Sequence, residues 1–137
     1  GEIEAVHRAI KIAKEEYGAR MAKQLEVSGA FHSNLMATSA GELRIAINAT
    51  EFHNSKIPVF CNVEAEPIEN KDLLKNALYR QLTSTVKWEY CVRNMIHAGA
   101  SKFYEIGSGK VLTGLVRKIN PQVECFNIST AEDIEQL

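Results

Sequence analysis

Cysteine is scarce in this chain of 137 residues: Cys61, Cys91 and Cys125 are odd in number, far apart and form no C-x-x-C pair. That rules out a disulfide framework and points instead to reduced, mostly buried thiols in a reducing compartment, the cytoplasm or an organelle matrix. Long apolar runs are missing too, since none approaches the roughly 18 residues that a membrane helix needs. The opening Gly1-Glu2-Ile3-Glu4 has neither the basic start nor the apolar middle of a signal peptide, so a soluble chain is expected. Neither sign of charge is in excess: 16 basic and 17 acidic residues give a formal net charge of -1, with no long block of either. Nucleic acid and anionic membrane are therefore not expected as partners. The 4 histidines and 3 cysteines show no H-x-x-x-H or C-x-x-C spacing, and no metal site is expected. Gly107-Ser108-Gly109-Lys110 falls short of a phosphate loop because Tyr104 stands where that motif needs its first glycine. Finally, no Gly-x-Ser-x-Gly nucleophile elbow occurs anywhere.

What the chain does have is an ordinary core composition, with 45% hydrophobic residues, enough for one domain or part of one. Ile3, Val6, Ile10, Ala13 and Tyr17 recur at spacings of three and four before Gly18, which predicts an amphipathic helix over residues 2–17. Leu25 and Val27 alternate with Gln24 and Glu26, so residues 21–27 read as a half-buried strand. Met36, Ala40, Leu43 and Ile47 mark a second helix, with Ser33 or Asn34 available to cap it and His32 just outside it. Residues 57–63 form a short apolar run read as a buried strand, with Pro58 at its entry and Asn62 near its C-terminal end.

Asn70 is placed to cap a helix carrying Leu73, Leu74, Ala77, Leu78 and Leu82. A helix around Trp88, Val92, Met95 and Ile96, closed by Gly99, follows the polar Thr83-Ser84-Thr85 stretch. Residues 102–106 read as a strand entering the Gly107-Ser108-Gly109 turn. Val111, Leu112, Leu115 and Ile119 then define a helix stopped by Asn120-Pro121, and residues 123–128 form a last strand. Helices alternating with short apolar strands predict an α/β layered fold with a largely parallel sheet. The chain opens on a helix with no earlier strand to pack against, so it is expected to begin partway through a βαβ or ferredoxin-like unit.

Three stretches stand in a telling order: Val27-Ser28-Gly29-Ala30-Phe31-His32-Ser33-Asn34-Leu35-Met36, Arg80-Gln81-Leu82, and Glu105-Ile106-Gly107-Ser108-Gly109-Lys110-Val111-Leu112-Thr113-Gly114. Malonyl-CoA:acyl carrier protein transacylases carry a catalytic-histidine segment, an Arg-Gln-Leu motif and a Glu-x-Gly-Pro-Gly-Lys-Val-Leu-x-Gly stretch in that order, and the chain resembles them over most of its length. It departs from the family at Ser108, where proline is usual.

The resemblance implies the C-terminal part of a hydrolase-like α/β acyltransferase domain. Residues 1–28 would be the remnant of a ferredoxin-like small subdomain and residues 29–137 part of the large domain. The implied activity is transfer of a malonyl group from malonyl-CoA to the phosphopantetheine thiol of acyl carrier protein through a serine ester, in fatty-acid synthesis and without a cofactor. His32 would be the general base and the main-chain carbonyl of Gln81 would orient it, so Gln81→Ala is expected to be mild. Asn62 would lie near the substrate, although a turn-forming asparagine after an apolar strand explains it as well. The serine, the arginine for the malonyl carboxylate and the oxyanion contacts would all lie upstream of Gly1, and the chain alone is expected to be inactive. Two alternatives stay open. One is a non-catalytic binding or scaffold domain of the same fold; the other is the acyltransferase domain of a polyketide synthase, for which Ala30-Phe31-His32 favours malonyl over methylmalonyl.

Overall fold

The three-and-four spacing of Ile3, Val6, Ile10 and Ala13 produces helix α1, Ile3–Glu15, in the computed structural model of the chain, which describes residues 1–135. Gly18, at φ +64°, lets the chain turn out of it. The described residues divide into two compact units, Gly1–Asn54 with Asn70–Val86, and Ser55–Glu69 with the chain from Lys87 onward.

In the first unit, α1 leads through an irregular stretch to a 3-10 turn, Asn34–Met36, and then to helix α2, Ala37–Ala49. Helix α3, Lys71–Gln81, packs on α2. The buried residues of this pair are Ala40 and Ile47 on α2 and Ala77 on α3, and the two alanines allow the backbones to approach closely. Asn70 starts α3 by the mechanism its sequence position suggests: its side-chain oxygen accepts from the N–H of Asp72 at 2.9 Å and of Leu73 at 3.1 Å. A cation–π contact joins the same helices, Arg44 over Tyr79, and a second sets Lys75 of α3 over Phe52, which lies beyond the end of α2.

The second unit begins with an antiparallel pair, β1 (Val59–Phe60) and β2 (Pro67–Ile68), and continues through helix α4, Trp88–His97. Gly99 ends α4 with a paired closure: its N–H reaches the Ile96 carbonyl at 2.9 Å, and that of Ala100 reaches Met95 at 3.0 Å. Only a left-handed residue permits this, and Gly99 has φ +101°. Strand β3 (Lys102–Ile106), helix α5 (Val111–Ile119) and strand β4 (Glu124–Ile128) then make a βαβ unit, with β3 and β4 parallel in the register Lys102 to Glu124. The core of this unit is Val92, Val116 and Cys125, with Trp88, Ile96, Phe103, Ile119 and Val123 packed around them. Val92 is 0% exposed, and full burial of such a side chain contributes about 1.5–3 kcal/mol. A short helix α6, Ala131–Glu135, follows.

Several expectations from sequence need correction. Residues 21–27 form no strand: Met21, Leu25 and Val27 are exposed, and no neighbouring strand offers their backbone a ladder. The run over residues 57–63 supplies only the two-residue β1, and Ile57 is 74% exposed. Pro58 cannot donate to a ladder. Beyond β1 the carbonyl of Cys61 takes both the Glu64 and Ala65 N–H groups in a turn, burying Val63 without a strand. The described strands make one parallel and one antiparallel pair instead of a largely parallel sheet. Neither Ser33 nor Asn34 caps α2 through its side chain, and the Ser33 hydroxyl donates instead to the Ala30 carbonyl at 2.6 Å. No helix among the described residues is long and apolar enough to cross a membrane.

Candidate active site

His32 sits in the first unit between the irregular segment and the 3-10 turn, with φ +64°. Left-handed backbone is uncommon for a side-chain-bearing residue and persists only where the surroundings impose it. Here they do so from the end of α3. The His32 N–H donates to the Leu82 carbonyl at 2.9 Å, and the ring Nδ1 lies 2.9 Å from the Gln81 carbonyl. Two successive carbonyls thus hold the backbone and the ring of one residue. With a proton on Nδ1, the bond to Gln81 selects the tautomer whose Nε2 carries a lone pair. Nε2 has no hydrogen-bond partner among the described residues. The ring is exposed, so the lone pair is open to a reactant.

The structure therefore brings His32 and Gln81 together. Asn62 lies in the second unit, half-buried, two residues beyond β1; its carbonyl accepts from Lys87 N–H at 3.1 Å, and its side-chain oxygen faces the Cys91 thiol at 3.8 Å. Those contacts tie a turn to the start of α4. Burial, followed by the nearby Cys61, pushes the Cys91 thiol above its ordinary range, while burial and Glu64 do the same to Cys61. Neither thiol has the depressed range of an activated nucleophile.

The glycine turn before α5 is organised by its own side chains. The carboxylate of Glu105 accepts from Leu112 N–H at 3.0 Å and Thr113 N–H at 2.7 Å, filling the N-terminus of α5. These bonds, that from Thr113 foremost, hold Glu105 below the usual carboxylate range. Asn127 closes the turn from β4 by donating to the Gly109 carbonyl at 2.6 Å. Two of the N–H groups that a phosphate would use at the start of α5 are thus already taken by a carboxylate.

Solved structures repeat this arrangement of elements. An acyl-carrier-protein S-malonyltransferase from Bartonella henselae superposes with a TM-score of 0.92 at 35% identity, over 99% of this chain and 43% of its own. A malonyl CoA-acyl carrier protein transacylase from Bacillus subtilis is 40% identical over 135 residues, 98% of this chain. The chain is a homologue of the malonyl CoA-acyl carrier protein transacylases. It spans 42% of the length of the Bacillus subtilis transacylase. A solved complex of a type II PKS acyl-carrier protein with its malonyl-transacylase also superposes, with a TM-score of 0.91 at 35% identity, over all of this chain and 44% of the other. No protein-family model matches the chain. The α/β fold of these transacylases is the fold found here over the matched length.

The other histidines have different surroundings. His7 on α1 bonds the Gln24 side chain at 3.0 Å, His53 lies 3.7 Å from Glu51 in an exposed loop, and His97 sits exposed in the last turn of α4. No metal-binding cluster exists among the described residues. Sequence reasoning missed the Leu82 carbonyl, because a main-chain acceptor leaves no residue-type signal. It also missed the capping role of Glu105, for which an acidic residue six positions before Val111 was the available hint.

Proposed function

We propose that this chain supplies the general base for transfer of a malonyl group from malonyl-CoA to the phosphopantetheine thiol of an acyl carrier protein, in fatty-acid synthesis. The supporting observation is the clamp on His32: Leu82 holds its main chain, Gln81 its Nδ1, and Nε2 is left as an exposed acceptor. In the acylation step Nε2 takes the proton of a serine hydroxyl as its oxygen attacks the malonyl thioester, and the imidazolium returns that proton to the departing coenzyme A thiolate. In the second step Nε2 takes the carrier's thiol proton, the thiolate attacks the serine ester, and the serine oxygen recovers the proton. No Gly-x-Ser-x-Gly occurs in the 137 residues, so the serine comes from polypeptide outside them. Asn62 is assigned a place near the substrate by resemblance alone, and residues 1–28 are read as the end of a ferredoxin-like small subdomain. The setting is the cytoplasm or an organelle matrix.

The solved complex with a polyketide carrier supports a second reading, in which the acceptor is a polyketide-synthase carrier instead of a fatty-acid one. A chimera distinguishes these readings. Residues 1–137 replace the matched stretch of the Bacillus subtilis transacylase, and malonyl-carrier formation is followed by mass spectrometry with each class of carrier. The chimera is expected to transfer malonyl, its His32→Ala variant to lose about 10²–10⁴-fold in rate, and the 137-residue chain alone to transfer none. Full activity of the His32→Ala chimera, or transfer by the chain alone, would overturn the proposal.

A further inference from the structure

The side chain of Gln81 also reaches the ring of His32, a little farther off than its carbonyl does, and its placement contains a contradiction. Its Nε2 lies 3.3 Å from His32 Nδ1, beside the 2.9 Å contact of Nδ1 with the Gln81 carbonyl. An amide nitrogen only donates, a carbonyl only accepts, and Nδ1 can do one or the other. If Nδ1 carries a proton, it bonds the carbonyl and meets the amide N–H groups donor to donor. If it carries a lone pair, it bonds the amide and meets the carbonyl acceptor to acceptor, at the shorter distance. One of the two contacts is repulsive in either tautomer. Exchanging the amide oxygen and nitrogen, the two ends that are told apart only by such networks, makes both favourable at once.

We propose that the Gln81 side chain presents Oε1 to His32, so that Nδ1–H is shared between the main-chain and side-chain oxygens of one residue. The paired oxygens do more than a single carbonyl could. The competing tautomer, with its lone pair on Nδ1, faces two acceptors and is disfavoured twice over. Gln81 is thus a positioning residue: it acts through His32, keeping the lone pair on Nε2. This rests on the reading of His32 as the base, but its test does not need transfer activity.

The test is the tautomer of His32, read from ring nitrogen-15 shifts in the histidine-labelled 137-residue chain, with His32→Ala identifying the signals. The wild-type ring is expected to be mainly Nδ1–H. Gln81→Leu should lower the ratio of Nδ1–H to Nε2–H by roughly 2- to 10-fold, the worth of one neutral hydrogen bond. Gln81→Glu, which offers only acceptors, should keep or raise the wild-type ratio, and it decides the matter if the leucine variant does not fold. A predominantly Nε2–H wild-type ring, a ratio unchanged in Gln81→Leu, or a ratio lowered in Gln81→Glu overturns the assignment. If the tautomer responds as stated while the His32→Ala chimera stays active, the base reading fails and the Gln81 assignment stands. The reverse pair of results rejects the assignment alone.

Discussion

Replacing His32 by glycine should leave the protein more stable than replacing it by alanine, the opposite of what these substitutions do at most positions. At an ordinary site glycine is the worse choice by about 0.5–1 kcal/mol, because it loses more backbone freedom on folding. His32 has φ +64°, where a side chain costs roughly 1–2 kcal/mol and glycine nothing. Set against an unfolded-state cost of about 0.4–1 kcal/mol for glycine, the balance favours His32→Gly over His32→Ala by around 1 kcal/mol. Both variants lose the 2.9 Å bond from Nδ1 to Gln81, which at an exposed site is worth about 0.5 kcal/mol. Alanine keeps the strain and loses the bond, so it should fall below wild type, while glycine should come close to it or exceed it. Urea unfolding followed by far-ultraviolet circular dichroism, with the slope checked for constancy, gives both differences. An alanine variant as stable as the glycine variant, or more so, would show that His32 is not held in left-handed backbone, and the clamp described above would lose its basis.

Three further outcomes follow from the same contacts. Asn70→Ala should cost about 1 kcal/mol in urea unfolding by stripping the bonds to Asp72 and Leu73, whereas Asn70→Gly should cost only a few tenths. Glu105 is held below its ordinary value of 4.5 by the α5 N–H groups, so its contribution is complete above that pH and is lost as pH falls through the lower folded value. The thermal midpoint of wild type should therefore drop more steeply on acidification below 4.5 than that of Glu105→Gln. Cys61 and Cys91 are raised above the ordinary thiol value of 9.0, so a chromogenic disulfide reagent should react slowly with them at neutral pH and faster only on the alkaline side of that value. A fast phase at neutral pH that disappears in Cys61→Ser would contradict this.

The elements legible in the sequence are those whose cause is local. The Asn70 cap, the Gly99 closure and the Asn120 stop are decided within a few residues, and helices α3, α4 and α5 lie where those signals place them. Strands β3 and β4 were legible for a related reason: each is a short run beside a turn signal, Gly107-Ser108-Gly109 after one and Asn120-Pro121 before the other, and its partner lies just across one helix. Residues 21–27 failed because alternation describes which face a strand would bury and cannot supply a neighbour to pair with. Helix α6 was overlooked although its signal was present. Thr130 and Asp133 form a reciprocal cap, with the Thr130 N–H donating to Asp133 at 2.9 Å and the Asp133 N–H facing the Thr130 hydroxyl at 3.4 Å.

The candidate site divides along the same line, with a different consequence. His32 and Gln81 are 49 residues apart, and no periodicity connects them. What joins them is the ending of α3: beyond Gln81 the helix no longer uses its last carbonyls, and apart from a 3.4 Å contact from the Ser84 N–H to Gln81, those of Gln81 and Leu82 remain to be satisfied by something outside it. His32 is what satisfies them, with its N–H and its ring, and the left-handed turn at His32 is the conformation in which both reach. A helix terminus that would otherwise need capping is thereby capped by the residue proposed as the base. Orientation of the imidazole and completion of α3 are then a single interaction, so a change that unravels the end of α3 should release the ring even where it leaves every ring-contacting residue in place.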